Sequence, residues 1–156
     1  FYPTPQEATQ ALLDRESFFG DILEPACGDG AMSKVLINNG YKVCSSDWKD
    51  RGYGKTGIDF LKTDRRFDNI ITNPPFNLST EFTVHSLSLA NKQVALLNKL
   101  SFLEGLKRRE KVFNLNKLKK VWIFSKRIKF GGNGLMAFAW FIFDKQYEGL
   151  PEIDWI

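Results

Sequence analysis

Asp21-Ile22-Leu23-Glu24-Pro25-Ala26-Cys27-Gly28-Asp29-Gly30 is the stretch on which the fold turns. Its first four residues read as a short buried strand and its glycines as a tight turn. Ala31 to Asn39 follows with Met32, Val35 and Leu36 at helical spacing, and Gly40 stops that helix. Strand, glycine turn and helix in that order open a βαβ unit. In an open parallel sheet, ligands bind beyond the carboxyl ends of the strands, where a glycine turn lets the backbone come close to them. The helix adds free N–H groups and a positive dipole end. Both suit a phosphate or a carboxylate equally, so the glycines do not name the ligand.

The next strand candidate is Tyr41 to Ser45, and Asp47 stands just beyond it. That is about 20 residues after the glycine turn, the distance at which a carboxylate accepts hydrogen bonds from both ribose hydroxyls. A ribosyl cofactor is therefore expected. A nicotinamide dinucleotide remains open at this point, but Ser33 occupies the third glycine position of that fingerprint. Nothing nearby supplies an acid for hydride transfer.

On the amino side, Thr4-Pro5-Gln6-Glu7 reads as a helix start, with Thr4 as N-cap, Pro5 at the first helical position and Glu7 closing a capping box. This helix should turn Ala8, Ala11 and Leu12 to the core and run to Phe18 or Phe19, where Gly20 stops it. On the carboxyl side, Lys49 to Gly57 reads as a mobile loop. Phe67 to Thr72 reads as a strand, Thr80 to Ala90 as a helix and Gln93 to Leu97 as a buried strand. Val121 to Phe124 and Ala137 to Phe143 have no helix between them and pair best as an antiparallel hairpin. Trp140 and Phe141 should alternate faces in the core. The expectation is an α/β domain with a mostly parallel sheet ending in a hairpin.

The 156 residues match the length of one ordinary domain, and 43% hydrophobic content with 14 Phe provides a sizeable core. No apolar run reaches the roughly 18 residues that a bilayer requires, and no secretory leader is visible, so a soluble, cytoplasmic protein is expected. Cys27 and Cys44 are too few for a disulfide framework and read as free thiols. His85, alone in a helix, reads as a surface or packing residue, and no metal site is expected. The net charge is +4, with basic runs at Lys107-Arg108-Arg109, Lys117 to Lys120 and Lys126 to Lys129. Such runs suit a polyanionic partner, although many are only solvated faces.

A second constellation is Ile70-Ile71-Thr72-Asn73-Pro74-Pro75-Phe76, a buried strand that ends in an amide, two prolines and a ring. Proline fixes its own φ and restrains the residue before it, so Asn73 and Pro74 are held stiffly. An aromatic amino group is a weak nucleophile because its lone pair is delocalised. Two acceptors taking its N–H bonds help to localise that pair, and the Asn73 side-chain oxygen and the Pro74 carbonyl are suitable acceptors. Phe76 can stack on a base. The plainer reading is a Pro-Pro turn that closes a loop.

Asn-Pro-Pro-Phe resembles the catalytic motif of amino-group methyltransferases, and the chain is similar to N6-adenine DNA methyltransferases. The motif order is that of their gamma arrangement, and small stand-alone phage-type members look most alike. The resemblance implies a Rossmann-like class I methyltransferase fold whose seven-stranded sheet has the family order 3-2-1-4-5-7-6. It also implies S-adenosylmethionine as cofactor and DNA as partner, with RNA still open. Catalytic residues would be Asn73, Pro74, Pro75 and Phe76. Cofactor contacts would come from Tyr2, Thr4 and Pro5 in the amino-terminal element, from Glu24, Pro25, Ala26, Cys27 and Gly28, from Asp47 and Trp48, and from Asn73. Asp59 would accept from the cofactor's adenine amino group, and Phe60 would pack on that ring.

Thr4 thus has two readings, helix cap and cofactor contact. Phe130 also has two, a contact to an extruded adenine or a hairpin aromatic in the core. Family members commonly carry a target-recognition domain, and none is expected in residues 1–156. Rival readings are methylation of RNA adenine, methylation of a protein glutamine, and a cofactor-binding subunit without activity.

Overall fold

The computed structural model describes residues 1–132 and 134–156. Ile22–Glu24 forms the fully buried strand β1. Strands β2 (Val43–Ser45) and β3 (Phe67–Thr72) lie parallel to β1 on its two sides, and β4 (Ala90–Lys99) lies parallel to β3. Strand β6 (Phe138–Asp144) runs antiparallel to β4, and β5 (Leu118–Ile123) runs antiparallel to β6. Finally β7 (Glu152–Trp155) pairs parallel with β5. One sheet results, in the order β2-β1-β3-β4-β6-β5-β7.

The α/β class, the seven strands and the antiparallel hairpin are as expected. The implied order is met from its second position to its last, and the edges account for the difference. Beyond β2, a family sheet would carry one more strand. Here the chain makes a single parallel bridge, Ser46 to Lys55. Gly52, Gly54 and Gly57 all hold positive φ in this segment, which is incompatible with a continuous strand. Its return is tied to the sheet by Asp47 N–H donating to the Lys55 carbonyl and Lys55 N–H to the Ser45 carbonyl, both at 2.9 Å. At the opposite edge β7 supplies the seventh strand. Its residues are all exposed, so it carries none of the apolar signal that marks the buried strands.

Helices α1 (Gln6–Leu13) and α2 (Ala31–Asn38) cover one face of the sheet, and α3 (Ser79–Leu89) covers the other, with α4 (Leu106–Lys111) beside it. Alternation along each strand divides the core. On β4, Ala95 and Leu97 face α1 and α2, whereas Val94 and Leu96 face α3. On β6, Trp140 and Ile142 take the first side, and Phe141 and Phe143 the second, as their spacing predicts.

Two helix-end expectations are corrected. The N-cap position of α1 is Pro5, with no side-chain cap bond, so the Thr4 to Glu7 capping box does not form. The buried Thr4 hydroxyl instead accepts from Asn73 Nδ2 at 3.2 Å. The helix also stops at Leu13 rather than Phe18, because the next residues take tertiary partners. Glu16 Oε1 accepts from Trp122 Nε1 at 2.9 Å, and Phe18 packs edge-on to Tyr41. Among the described residues, no helix is long and apolar enough to cross a membrane.

Candidate active site at the carboxyl ends of the parallel strands

Strand β1 delivers Glu24 to its carboxyl end, where the side chain is 2% exposed. Ser33 of α2 donates its hydroxyl to Glu24 Oε2, and Ser33 and Ser45 share a hydrogen bond of 2.7 Å. Burial pushes the Glu24 carboxyl up to about 8, against the lowering effect of the Ser33 bond and with help from the Asp47 charge. The turn that follows closes by Gly30 N–H donating to the Cys27 carbonyl at 2.8 Å. Burial, then Glu24 and Asp47, push the Cys27 thiol up to about 12, so it stays protonated and inert. Cys27 and Cys44 are both free.

Asp47 leans back over this turn. Its Oδ2 accepts from Gly28 N–H at 2.8 Å and its Oδ1 from Lys49 N–H at 2.9 Å. The carboxylate is thereby fixed in orientation, while each oxygen keeps a further lone pair for another donor. Trp48 beside it is 64% exposed.

Aromatic rings from distant segments roof the glycines. A Cβ at Gly28 would fall 2.5 Å from the Phe1 ring, and one at Gly131 would fall 2.3 Å from the Tyr2 ring. Both glycines also have positive φ, so side chains are excluded on two counts. The Arg51 guanidinium lies 4.0 Å from the Phe1 ring centroid. The chain start therefore spans from the glycine turn to the connection between β5 and β6. It is also tied to β3 through the Thr4 to Asn73 bond.

Strands β1 and β3 are neighbours with Leu23 beside Ile70, so the glycine turn and the Asn-Pro-Pro-Phe turn leave the sheet side by side. Asn73 is held by Thr4 through its Nδ2, while its buried Oδ1 has no hydrogen-bond partner among the described residues. An orphaned buried acceptor costs stability. Pro74 is buried, and Pro75 is exposed with φ −55°. The Ser79 hydroxyl, at the start of α3, reaches the Pro75 carbonyl at 3.3 Å and Asn98 Oδ1 at 2.9 Å. Phe76 is 48% exposed, with its ring 5.7 Å from Phe138 and the Lys99 ammonium 4.4 Å over it. Phe130 packs on Phe138 at 4.8 Å, so it is both a half-buried hairpin aromatic and part of this rim. Asn133, in the same connection, lies outside the described residues.

The fold thus brings Thr4, Glu24, Gly28, Asp47, Asn73, Phe76 and Phe130 to one end of the sheet. Asp59 and Phe60 have partners within the protein. Asp59 Oδ1 caps a short 3-10 turn by accepting from Leu61 N–H at 3.1 Å. Phe60, expected on a cofactor ring, is buried against Phe82 and His85. His85 is a packing residue whose Nε2 bonds the Thr63 carbonyl at 2.8 Å. Sequence reasoning missed Lys99, Asn98, Ser79 and Phe138. The available signal was the βαβ pattern itself, since a strand parallel to β3 must end beside residues 73–76.

No family model matches this chain, and no curated protein matches it in sequence. Solved structures do match in shape. One is the modification subunit assigned to a type I restriction enzyme of Vibrio vulnificus, with TM-score 0.75, 15% identity, and 100% of this chain covered against 47% of that one. The chain spans about half the length of that protein. A protein of Pyrococcus horikoshii assigned as an RNA methyltransferase gives TM-score 0.71 and 16% identity, covering 92% of this chain and 86% of that one. Magnesium protoporphyrin IX methyltransferase of Synechocystis, solved with bound SAM, gives TM-score 0.67 and 14% identity, covering 90% of this chain and 79% of that one. The likeness is one of architecture: this chain has the class I methyltransferase fold.

Proposed function

We propose that the protein transfers a methyl group from S-adenosylmethionine to the N6 amino nitrogen of adenine in DNA. The carrying observation is the buried Asn73 Oδ1, which has no donor among the described residues while its Nδ2 is pinned by Thr4. An acceptor fixed in this way suits an incoming N–H.

The residues present fit the cofactor. Asp47 keeps a lone pair on each oxygen for ribose hydroxyls, Trp48 offers an exposed indole beside it, and the glycine turn presents bare backbone. Glu24, once ionised, favours a cationic neighbour. Bound S-adenosylmethionine supplies the electrophilic methyl group.

The chain's own residues do the rest. Asn73 Oδ1 and the Pro74 carbonyl accept the two N–H bonds of the amino group, which localises its lone pair on nitrogen. The prolines and the Ser79 hydroxyl keep the turn from yielding as the base docks. Phe76, half exposed, stacks on the extruded base and offsets part of the cost of unstacking. The chemistry rests on proximity and orientation, and needs no strong general base. DNA is preferred over a protein side chain because Phe76 presents a stacking surface beside the Lys99 ammonium. The Vibrio vulnificus likeness supports the same choice.

Tritiated methyl transfer to DNA, RNA and protein side by side, followed by nucleoside digestion, tests the proposal. Label is expected in N6-methyl-2′-deoxyadenosine from DNA. Asn73→Ala should lower the rate by about 100-fold or more and leave cofactor affinity within a few fold. Label in RNA or glutamine alone, or an unchanged Asn73→Ala rate, overturns it.

A further inference from the structure

The sequence places its cations in runs, and the fold sorts them. From Lys111 to Phe143 there are seven Lys and Arg and no Asp or Glu. Strand β5 uses its own share internally: Lys119 pairs with Asp144 at 3.8 Å, and Lys120 with Glu152 at 3.4 Å and Asp154 at 3.8 Å. On α4, Lys107 is held by Glu81 at 2.7 Å. Those pairs engage Lys107, Lys119 and Lys120 of the basic runs.

Lys99 is different. It is the last residue of β4, half-buried, and lies opposite Phe138 in the ladder. Among the described residues its ammonium has no carboxylate within 4.0 Å, and it rests 4.4 Å over the half-exposed Phe76 ring. The connection that begins after β5 carries the exposed cations Lys126, Arg127 and Lys129, and its Phe130 packs on the same Phe138 that touches Phe76. Without a carboxylate partner at the rim, a cation exchanges a ring contact for a phosphate at little cost.

We propose that Lys99 is a substrate contact of this site: its ammonium binds a phosphodiester next to the nucleotide whose base meets Phe76, with Lys126, Arg127 and Lys129 continuing the track. The assignment rests on the polynucleotide reading above and adds the residue that holds the backbone. It also excludes the paired lysines of β5 from that task.

The test is oligonucleotide binding by the full chain, followed by fluorescence anisotropy across a salt series, together with tritiated-methyl transfer. Lys99→Met keeps the apolar stem over Phe76 and removes the charge, while Lys99→Arg keeps the charge. Lys99→Met is expected to weaken binding about tenfold at low salt and to reduce the slope of log affinity against log salt by about one. Lys99→Arg should stay near wild type, and the Lys119→Met, Lys120→Met double variant should leave the slope unchanged. Unaltered affinity and slope in Lys99→Met overturn the proposal, as does equal loss in Lys99→Arg. Adenine labelling by wild type with an unaltered Lys99→Met removes Lys99 alone. A Lys99-dependent slope without adenine labelling removes the methyl-acceptor reading alone.

Discussion

Two carboxyl-bearing side chains, Glu24 and Asp47, sit at neighbouring strand ends and are treated in opposite ways by the fold. Asp47 is half exposed and takes two backbone N–H donors, whereas Glu24 is sealed beneath the turn with serine hydroxyls. For Glu24 the folded-state pKa of about 8 stands above the ordinary 4.5, so the folded chain holds a proton that the unfolded chain gives up. The sign follows from linkage. Stability is undiminished below the unfolded pKa, falls as pH rises from 4.5 to about 8, and levels off above that. The full loss over this window is on the order of 5 kcal/mol. Glu24→Gln should flatten the decline, so urea denaturation of both proteins at acid and alkaline pH should show the variant gaining relative stability on the alkaline side. Parallel pH profiles would return Glu24 to an ordinary carboxyl. At the same scale, Thr4 has a local reading as a helix cap, and its buried hydroxyl instead accepts from Asn73.

At the level of elements, the parallel strands were readable because each is a short apolar run bounded by turn residues, and burial on both sheet faces leaves that pattern unbroken. Strand β3 spans Phe67–Thr72 as its sequence predicts, and α2 and α3 fall within a residue or two. Helix α1 was overextended, since helical spacing continues past the point where tertiary bonds win. The bond from Trp122 Nε1 to Glu16 fastens the end of α1 to β5 and takes Glu16 off the helix path. Glu16→Ala should therefore cost about 1–2 kcal/mol in thermal or chemical unfolding and leave methyl transfer unaffected. A variant as stable as wild type would show that the bond contributes nothing net. Strand β7 escaped notice because an exposed edge strand has no core face to impose alternation.

Across the whole molecule, remote segments are joined through the core, as α1 and β6 are. Trp140 on β6 is fully buried, and its Nε1 donates to the Ala8 carbonyl of α1 at 2.8 Å. Trp140→Ala removes a large packed ring and its hydrogen bond to that carbonyl, a loss of about 3–5 kcal/mol. The melting temperature should fall by roughly 10 °C or more, and calorimetry with unchanged melting would contradict this account of the core. The residues alone determined the α/β class, the glycine turn, Asp47 and the stiff Asn-Pro-Pro-Phe turn. Periodicity, proline geometry and glycine freedom act over a few bonds, and a distant partner overrides them where it ends α1 early. Only the tertiary structure decided that Thr4 pins Asn73, that Phe60 goes to the core, that β7 closes the sheet edge, and that Lys99 and Phe138 meet Phe76. Those outcomes depend on which strands become neighbours and in what register, because hydrogen bonds and ring contacts between remote residues exist only once the sheet order has set them face to face.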